Sequence, residues 1–144
     1  MTPRIFSIEE VESLIPTLAQ LVDRQQQYHE RIETKLAKLA RTTGKLPKTL
    51  APDTSDHEVV AAAKTELRDQ IAQYERGWRE VSALGAVVKD PQIGLIDFYG
   101  RVDGKLVWLC WRHGEESLRY YHDLDTGFHG RKLLRPAARE RTLN

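Results

Sequence analysis

Side chains of the kinds that bind metal ions are concentrated near the C-terminal end of the 144-residue chain. Thiolate, neutral imidazole and carboxylate groups are the usual ligands of zinc and related divalent metals. The spacing matches no zinc-finger pattern, because Cys110 and His113 are followed by eight residues and then a single histidine. A metal site would therefore have to be assembled by the fold from a segment that contains Cys110, His113, His122, His129, Glu115, Glu116, Asp123 and Asp125.

A predicted β-hairpin supplies the first pair of ligand side chains. Two mainly apolar segments, residues 95–102 and 105–112, flank Asp103-Gly104, which is the strongest short-range signal for a hairpin turn. If these two residues form the loop, Asp97 lies opposite Cys110. Both side chains then point to the same face of the sheet, because side chains alternate along a strand.

The face on which His122 lies depends on the next loop. We expect a third strand at residues 117–123. A five-residue loop at 113–117 places His122 opposite Trp108, on the face of Asp97 and Cys110. A two-residue loop at Gly114-Glu115 places it opposite Val107, on the other face.

Two interpretations of these side chains follow. In the first, Asp97, Cys110, Glu115 and His122 bind a divalent metal such as zinc. In the second, His122 is a hydrogen-bonded structural histidine and Cys110 is a buried thiol. Glu115 with His122 also has the chemistry of an acid–base pair, although a glutamate at the tip of a hairpin is usually an exposed carboxylate.

A glycine-containing segment near the end of the chain is a candidate anion site. Gly127, Gly130 and Arg131 can offer backbone amides and a guanidinium group to a phosphate or a carboxylate. The segment lacks the spacing of the known phosphate-binding loops, and turn glycines are the simpler interpretation.

The net charge of +1 argues against a nucleic-acid-binding protein, although the charge is unevenly distributed. Residues 1–130 sum to −3 and residues 131–144 to +4, from the five bases Arg131, Lys132, Arg135, Arg139 and Arg141 and the acid Glu140. We interpret residues 135–144 as a basic, mobile tail and expect no nucleic-acid partner.

The single cysteine excludes an intrachain disulfide and with it a disulfide-framed secreted domain. No apolar run approaches the roughly 18 residues that would span a membrane, and the first residues lack the apolar core of a signal peptide. We expect a cytoplasmic protein without a membrane partner.

Two long amphipathic helices precede the hairpin. The first is predicted at 7–41, with a capping box of Ser7 and Glu10 at its start and a stop at Gly44. Pro16 lies inside it and predicts a kink, or a short first helix followed by a longer one. The second is predicted at 55–85, with Ser55 and Glu58 as a second capping box.

These elements predict an α+β fold with one domain over residues 1–134. A long antiparallel helical hairpin, with a coiled-coil type of seam, would pack on a small antiparallel sheet of about three strands at 94–123. The segment Leu106–Trp111 is apolar on both faces, so its second face needs a cover from a neighbouring subunit, the C-terminal segment or a ligand. A homodimer is our expectation.

The chain resembles a bacterial family of uncharacterised proteins, domain of unknown function 2203 (DUF2203), over about residues 5–134. The resemblance implies no particular reaction and no catalytic residue. Thr126 stands where the pattern has a smaller residue, and His113 and His129 are not part of it. The residues that carry it are Phe6, Glu10, Leu14-Ile15-Pro16, Lys89-Asp90, Gly94-Leu95-Ile96-Asp97-Phe98, Leu109-Cys110-Trp111, Gly114-Glu115, His122, Gly127-Phe128 and Arg131.

Two functional hypotheses follow from the sequence, beside a third of RNA or phosphate binding through Arg131 and the basic tail. The first is a binding or assembly protein that self-associates through its helices and its apolar strand face. The alternative is a divalent-metal-binding protein or metal-dependent enzyme with its site on the C-terminal sheet. No catalytic signature decides whether the protein is an enzyme.

Overall fold

The computed structural model describes residues 3–134, in which two long helices precede a small sheet. The order of elements confirms the α+β fold. Helices α1 and α2 span Ile8–Thr43 and Glu58–Ala83. The strands are β1 (Val87–Asp90), β2 (Leu95–Val102), β3 (Lys105–Arg112), β4 (Tyr120–His122) and β5 (Lys132–Leu133), with a 3-10 turn at Phe128–Gly130 between the last two.

The sheet has five antiparallel strands in the order β1-β2-β3-β4-β5, so the prediction of about three strands was wrong. Strand β1 is four residues long and mostly half-buried, and it lies directly before a proline-containing turn. Strand β5 has two residues, both exposed. Neither segment is long enough to show the alternation of apolar and polar residues that identifies a strand in a sequence.

The predicted register of the central hairpin is confirmed. Asp97 lies opposite Cys110, and Val102 lies opposite Lys105. Asp103 and Gly104 have φ values of 54° and 76°, which is the left-handed pair of conformations that a two-residue hairpin turn requires.

Helix α1 begins with the predicted capping box. The Glu10 N–H donates to the Ser7 hydroxyl (3.1 Å), and the Ser7 N–H donates to the Glu10 carboxylate (2.9 Å). The helix continues through Pro16 to Thr43, so the expectation of two separate helices was wrong. At its end the Gly44 N–H donates to the Ala40 carbonyl, and Gly44 has a φ of 85°.

Helix α2 begins three residues later than predicted, because His57 rather than Ser55 provides the cap. The His57 carbonyl accepts the N–H of Ala61, and its ring Nδ1 accepts the N–H of Val59 (3.2 Å). Ser55 instead lies in a turn, where its N–H donates to the carboxylate of Asp53. The expected second capping box was therefore wrong.

The described residues form two compact units. Asp23–Arg79 form a helical unit, and the described residues on either side of it form a sheet unit. In the helical unit Leu39 of α1 packs near Val60 of α2, and Gln25 of α1 contacts Tyr74 of α2. The two helices are therefore antiparallel. Whether both units fold as one domain stays a prediction.

Strand β3 is buried on both faces within a single chain. Val107, Leu109 and Trp111 are buried on one face, and Trp108 and Cys110 on the other. The chain covers the second face with its own residues, so of the three predicted covers a neighbouring subunit is not required. Neither helix in residues 3–134 is long and apolar enough to cross a membrane. The predicted basic tail, 135–144, lies outside the described residues.

A buried polar side chain fixes the contact between the two helices of the helical unit. Gln25 is fully buried, and its amide donates to the Tyr74 carbonyl (2.6 Å). Gly77 makes room for it, because a Cβ atom at position 77 would lie 1.8 Å from the Gln25 Oε1. Gln25 and Gly77 therefore specify one alignment of α1 against α2.

We predict opposite effects of Gly77→Ala in two backgrounds. In the wild type the new methyl group collides with Gln25 and lowers the free energy of unfolding by about 1–3 kcal/mol. In a Gln25→Ala background the collision is absent, and the better helix propensity of alanine raises the free energy of unfolding by about 0.5–1 kcal/mol. Urea unfolding of the four proteins measures both values. The same sign in both backgrounds would contradict the proposed contact.

Candidate metal centre

The structure brings together three of the four predicted metal ligands. Asp97, Cys110 and His122 are 0%, 0% and 1% exposed. Each offers one ligand atom, and these atoms lie within 4.8 Å of one another. Carboxylate, thiol and imidazole groups buried together are a donor set suited to zinc.

Adjacent strands assemble this cluster. Asp97 on β2 is the cross-strand partner of Cys110 on β3, and His122 on β4 is the partner of Trp108 on β3. The predicted register with His122 opposite Trp108 is therefore confirmed, and the alternative opposite Val107 was wrong. The third strand predicted at 117–123 is shorter, Tyr120–His122, so the segment after β3 spans 113–119 rather than five residues. Because β2 and β4 lie on either side of β3, the contact between Asp97 and His122 spans the middle strand.

A short hydrogen bond joins the two ionisable side chains. The His122 Nε2 lies 2.7 Å from the Asp97 Oδ2. The His122 Nδ1 lies 3.0 Å from the Asp123 carbonyl, which can only accept, so Nδ1 donates to it. One proton lies between Nε2 and Oδ2, and the pair has no net charge whichever of the two atoms carries that proton. Such neutrality is what burial requires.

Cys110 is held in its thiol form. Burial raises its pKa, and the negative charge of the neighbouring Asp97 raises it further, whereas Arg131 acts in the opposite direction. A buried thiol of this kind is a poor nucleophile, because thiolate is the reactive species. The environment of Cys110 therefore argues against nucleophilic catalysis, and a metal ion would have to displace the thiol proton in order to bind the sulfur.

One oxygen of the cluster has no hydrogen-bond partner. The Asp97 Oδ2 accepts from or donates to His122, whereas the Asp97 Oδ1 is buried without a partner. A buried carboxylate oxygen without a partner is costly, and almost all buried polar atoms find one. The sulfur of Cys110, the Nε2 of His122 and one oxygen of Asp97 are the three donor atoms that the cluster offers.

Glu115, the fourth predicted ligand, lies outside the cluster and organises the loop after β3. Its carboxylate accepts the Arg112 N–H (2.6 Å) and a guanidinium N–H of Arg131 (2.6 Å). Its backbone carbonyl accepts the indole N–H of Trp111 (2.8 Å). The carboxylate of Glu115 is thus bound by Arg131, and His122 is bound by Asp97, so the two do not form the acid–base pair considered above.

Two donor groups of the predicted anion site, the Gly130 N–H and the terminal guanidinium nitrogen of Arg131, are engaged within the chain. The Gly130 N–H donates to the Gly127 carbonyl (2.9 Å), and Arg131 binds Glu115 and the Cys110 carbonyl (3.2 Å). Burial alone would lower the pKa of Arg131, but its hydrogen bond to Glu115 and nearby negative charge raise it above its usual value. The carboxylate that this guanidinium binds is therefore one from its own chain.

The positions of Lys89 and Thr126 near the cluster were not identified from the sequence. Trp108, beside His122, is stacked on Tyr99 at 4.0 Å between ring centroids, and the Lys89 ammonium lies 3.8 Å from the Trp108 ring centroid. The Thr126 hydroxyl lies 3.4 Å from the His122 Nδ1 and 3.1 Å from the Asp123 carbonyl. Only the departure of Thr126 from the family pattern drew attention to that position.

Comparison with known proteins places the chain in a family. The model of the family described as "Uncharacterized conserved protein (DUF2203)" matches residues 4–134. The chain belongs to the DUF2203 family. No curated protein and no solved structure matches it. The match to DUF2203 extends over both helices and all five strands, so it includes every residue of the buried cluster.

We predict that the Asp97–His122 hydrogen bond contributes strongly to the stability of this DUF2203 protein. Asp97→Ala leaves a buried imidazole without its partner and should lower the free energy of unfolding by about 3–5 kcal/mol. Asp97→Asn should cost about 1–2 kcal/mol, because an amide N–H can still donate to the His122 Nε2. Denaturant unfolding without metal measures both. Equal losses would show that the amide does not restore the hydrogen bond to the His122 Nε2, and would contradict this prediction.

Proposed function

We propose that the chain is a divalent-metal-binding protein in which Asp97, Cys110 and His122 bind one zinc ion. The observation that supports this proposal is the convergence of three buried ligand atoms within 4.8 Å of one another, with the Asp97 Oδ1 lacking a partner. The orientation of His122 also fits, since histidines that bind a metal usually donate their other ring N–H to a carbonyl or a carboxylate. Here that acceptor is the Asp123 carbonyl.

The zinc ion in this proposal has a structural role. A catalytic zinc ion keeps an open position for water or substrate, whereas a structural one is enclosed by its protein ligands. All three side chains are at most 1% exposed and come from three adjacent strands, β2, β3 and β4. An ion bound to them would join these strands at one point and stabilise the sheet.

Binding requires a small rearrangement of the cluster. Ligand atoms of a tetrahedral zinc site lie about 3.3–3.5 Å apart, as follows from bond lengths of about 2.0–2.3 Å. The His122 Nε2 and the Asp97 Oδ2, now 2.7 Å apart, must therefore separate, and the ion replaces the proton between them.

We predict that the purified protein binds one equivalent of zinc and that cobalt in its place gives a thiolate-to-cobalt absorption band in the near ultraviolet. Cys110→Ala should abolish the band, and His122→Ala should weaken zinc binding by more than about a hundredfold, which exceeds the loss typical of an outer-shell partner. Zinc should also raise the denaturant midpoint of the wild type, because it binds only the folded state. Titration calorimetry and absorption measure these effects.

Two variants serve as controls. His129→Ala removes an exposed histidine outside the cluster, and Glu115→Gln alters the predicted ligand that the structure places elsewhere. Both should keep the stoichiometry and the cobalt band. A wild-type protein that binds no zinc, or one whose cobalt spectrum survives Cys110→Ala, would reject the proposed site.

Self-association through the helical unit is a second candidate function. A groove of about 150 Å³ lies between α1 and α2 near the loop that joins them, with Leu39, Val60 and Ala63 among its lining residues. Val59 also lines this groove and is 66% exposed. Because β3 is covered by its own chain, the proposal of a homodimer depends on this groove alone.

We predict that Val59→Asp weakens self-association. If two copies meet at the groove, light scattering of the wild type at high micromolar concentration should give twice 16.6 kDa, and the variant should shift toward the monomer. Ala62→Asp, on an exposed part of α2 outside the groove, is the matched control and should stay dimeric. A monomeric wild type would end this second proposal.

A further inference from the structure

The buried cluster raises the question of how an ion would reach it. Asp97, Cys110 and His122 have almost no exposed surface, so neither an ion nor a chemical reagent can approach them unless a covering element moves. Strands β2 and β3 have eight residues each and pair along their whole length. The moving element must therefore be found among the shorter segments around the cluster.

Residues 123–131, which we name the cover segment, contact the cluster directly. At one end Thr126 lies 3.4 Å from the His122 Nδ1. At the other end Arg131 donates to the Cys110 carbonyl, and its guanidinium lies 4.0 Å from the ring centroid of Tyr120. Tyr120 is the cross-strand partner of Cys110. The cover segment thus extends over both His122 and Cys110.

Few apolar contacts hold the cover segment in place. Five of its nine residues are exposed, and none is fully buried. Gly127 has no atom within 4 Å of the position that a Cβ would occupy. Asp123 binds Lys105 and Lys132 in ion pairs with exposed lysines, and such pairs contribute little to stability. Segments of this kind open locally at a lower free energy than the strands beside them.

The strongest polar contact of the cover segment is that between Arg131 and Glu115. The two side chains are 10% and 21% exposed, and the guanidinium lies 2.6 Å from the carboxylate. Glu115 lies in the loop after β3 and is held to that strand by two hydrogen bonds. Its carboxylate accepts the Arg112 N–H, and its backbone carbonyl accepts the Trp111 indole N–H. Arg131 therefore binds a rigid acceptor, and the Phe128 ring lies 5.2 Å from its guanidinium.

We propose that the cover segment is a gate over the Asp97–Cys110–His122 cluster, and that the Arg131–Glu115 ion pair is the latch that keeps it closed. Opening exposes Cys110 and His122 while β2 and β3 stay paired. The biological use of the gate, controlled entry and release of the metal ion, rests on the proposed function. The opening motion itself does not rest on the proposed function, because it can be measured in metal-free protein.

The single cysteine makes the motion measurable. Cys110 is the only thiol of the chain, so a disulfide reagent such as dithionitrobenzoate reports its accessibility without ambiguity. In metal-free protein, Arg131→Gln should raise the labelling rate about ten- to hundredfold, as expected for loss of a charge-assisted hydrogen bond. Glu115→Gln keeps an oxygen acceptor for Arg131 and should raise the rate by a smaller factor. If Arg131→Gln does not fold, Glu115→Gln still decides the question.

The denaturant dependence separates local opening from global unfolding. A gate that opens locally exposes little new surface, so the labelling rate should change little with low concentrations of urea. Gln25→Ala in the helical unit and His129→Ala on the cover segment leave the latch intact and are the controls. The gate proposal would be rejected if Cys110 were labelled at the wild-type rate in both latch variants. It would also be rejected if the labelling rate rose steeply with urea in all proteins.

Zinc kinetics test the connection to the proposed function. If the wild type binds zinc, Glu115→Gln, which keeps the charge of Arg131 beside Cys110, should speed association and dissociation by similar factors and leave the dissociation constant nearly unchanged, because an open gate lowers the barrier in both directions. Zinc rates equal to those of the wild type would reject the gate as the route of the ion. If the wild type binds no zinc, the proposed function fails, and the labelling rates still decide whether the gate exists.

Discussion

The contact between Asp97 and His122 across strand β3 is the interaction on which the rest of the sheet unit depends. Two ionisable groups with at most 1% exposure are stable in a protein interior only as a closely bonded pair without net charge. They come from β2 and β4, so a shift by one residue in either strand pairing would turn one of them to the other face. The cluster therefore demands a unique register in both pairings.

The two strand pairings were not equally predictable from the sequence. The β2–β3 pairing follows from Asp103-Gly104, because a two-residue turn leaves only one way to align the strands. The β3–β4 pairing remained ambiguous in the sequence, because loops of two and five residues were both compatible with it. The structure shows why the longer loop forms: Glu115 satisfies the N–H groups of Arg112 and Trp111 from within it.

Long-range partners account for most of what the sequence did not show. Glu115 and Arg131 are sixteen residues apart, and each was assigned to a separate candidate site because neither side chain reveals the other. Similarly, Ser7 and Ser55 begin the same sequence pattern, yet only Ser7 caps a helix. Near Ser55, the carboxylate of Asp56 binds the buried amine of Lys64 (2.9 Å) and the Asp53 N–H, and α2 starts after His57 instead. Local patterns thus predict elements better than they predict the contacts between them.

A hydrogen-bonded cluster and a metal site make different demands on the same three side chains. As a hydrogen-bonded cluster, Asp97, Cys110 and His122 keep a proton between Nε2 and Oδ2, and the Asp97 Oδ1 stays buried without a partner. A divalent ion replaces that proton and binds the sulfur of Cys110 as thiolate, so the thiol proton is also released to solvent. The two states thus differ in where the protons lie: the metal-free cluster keeps one between Nε2 and Oδ2 and one on the sulfur of Cys110, whereas the metal-bound cluster keeps neither.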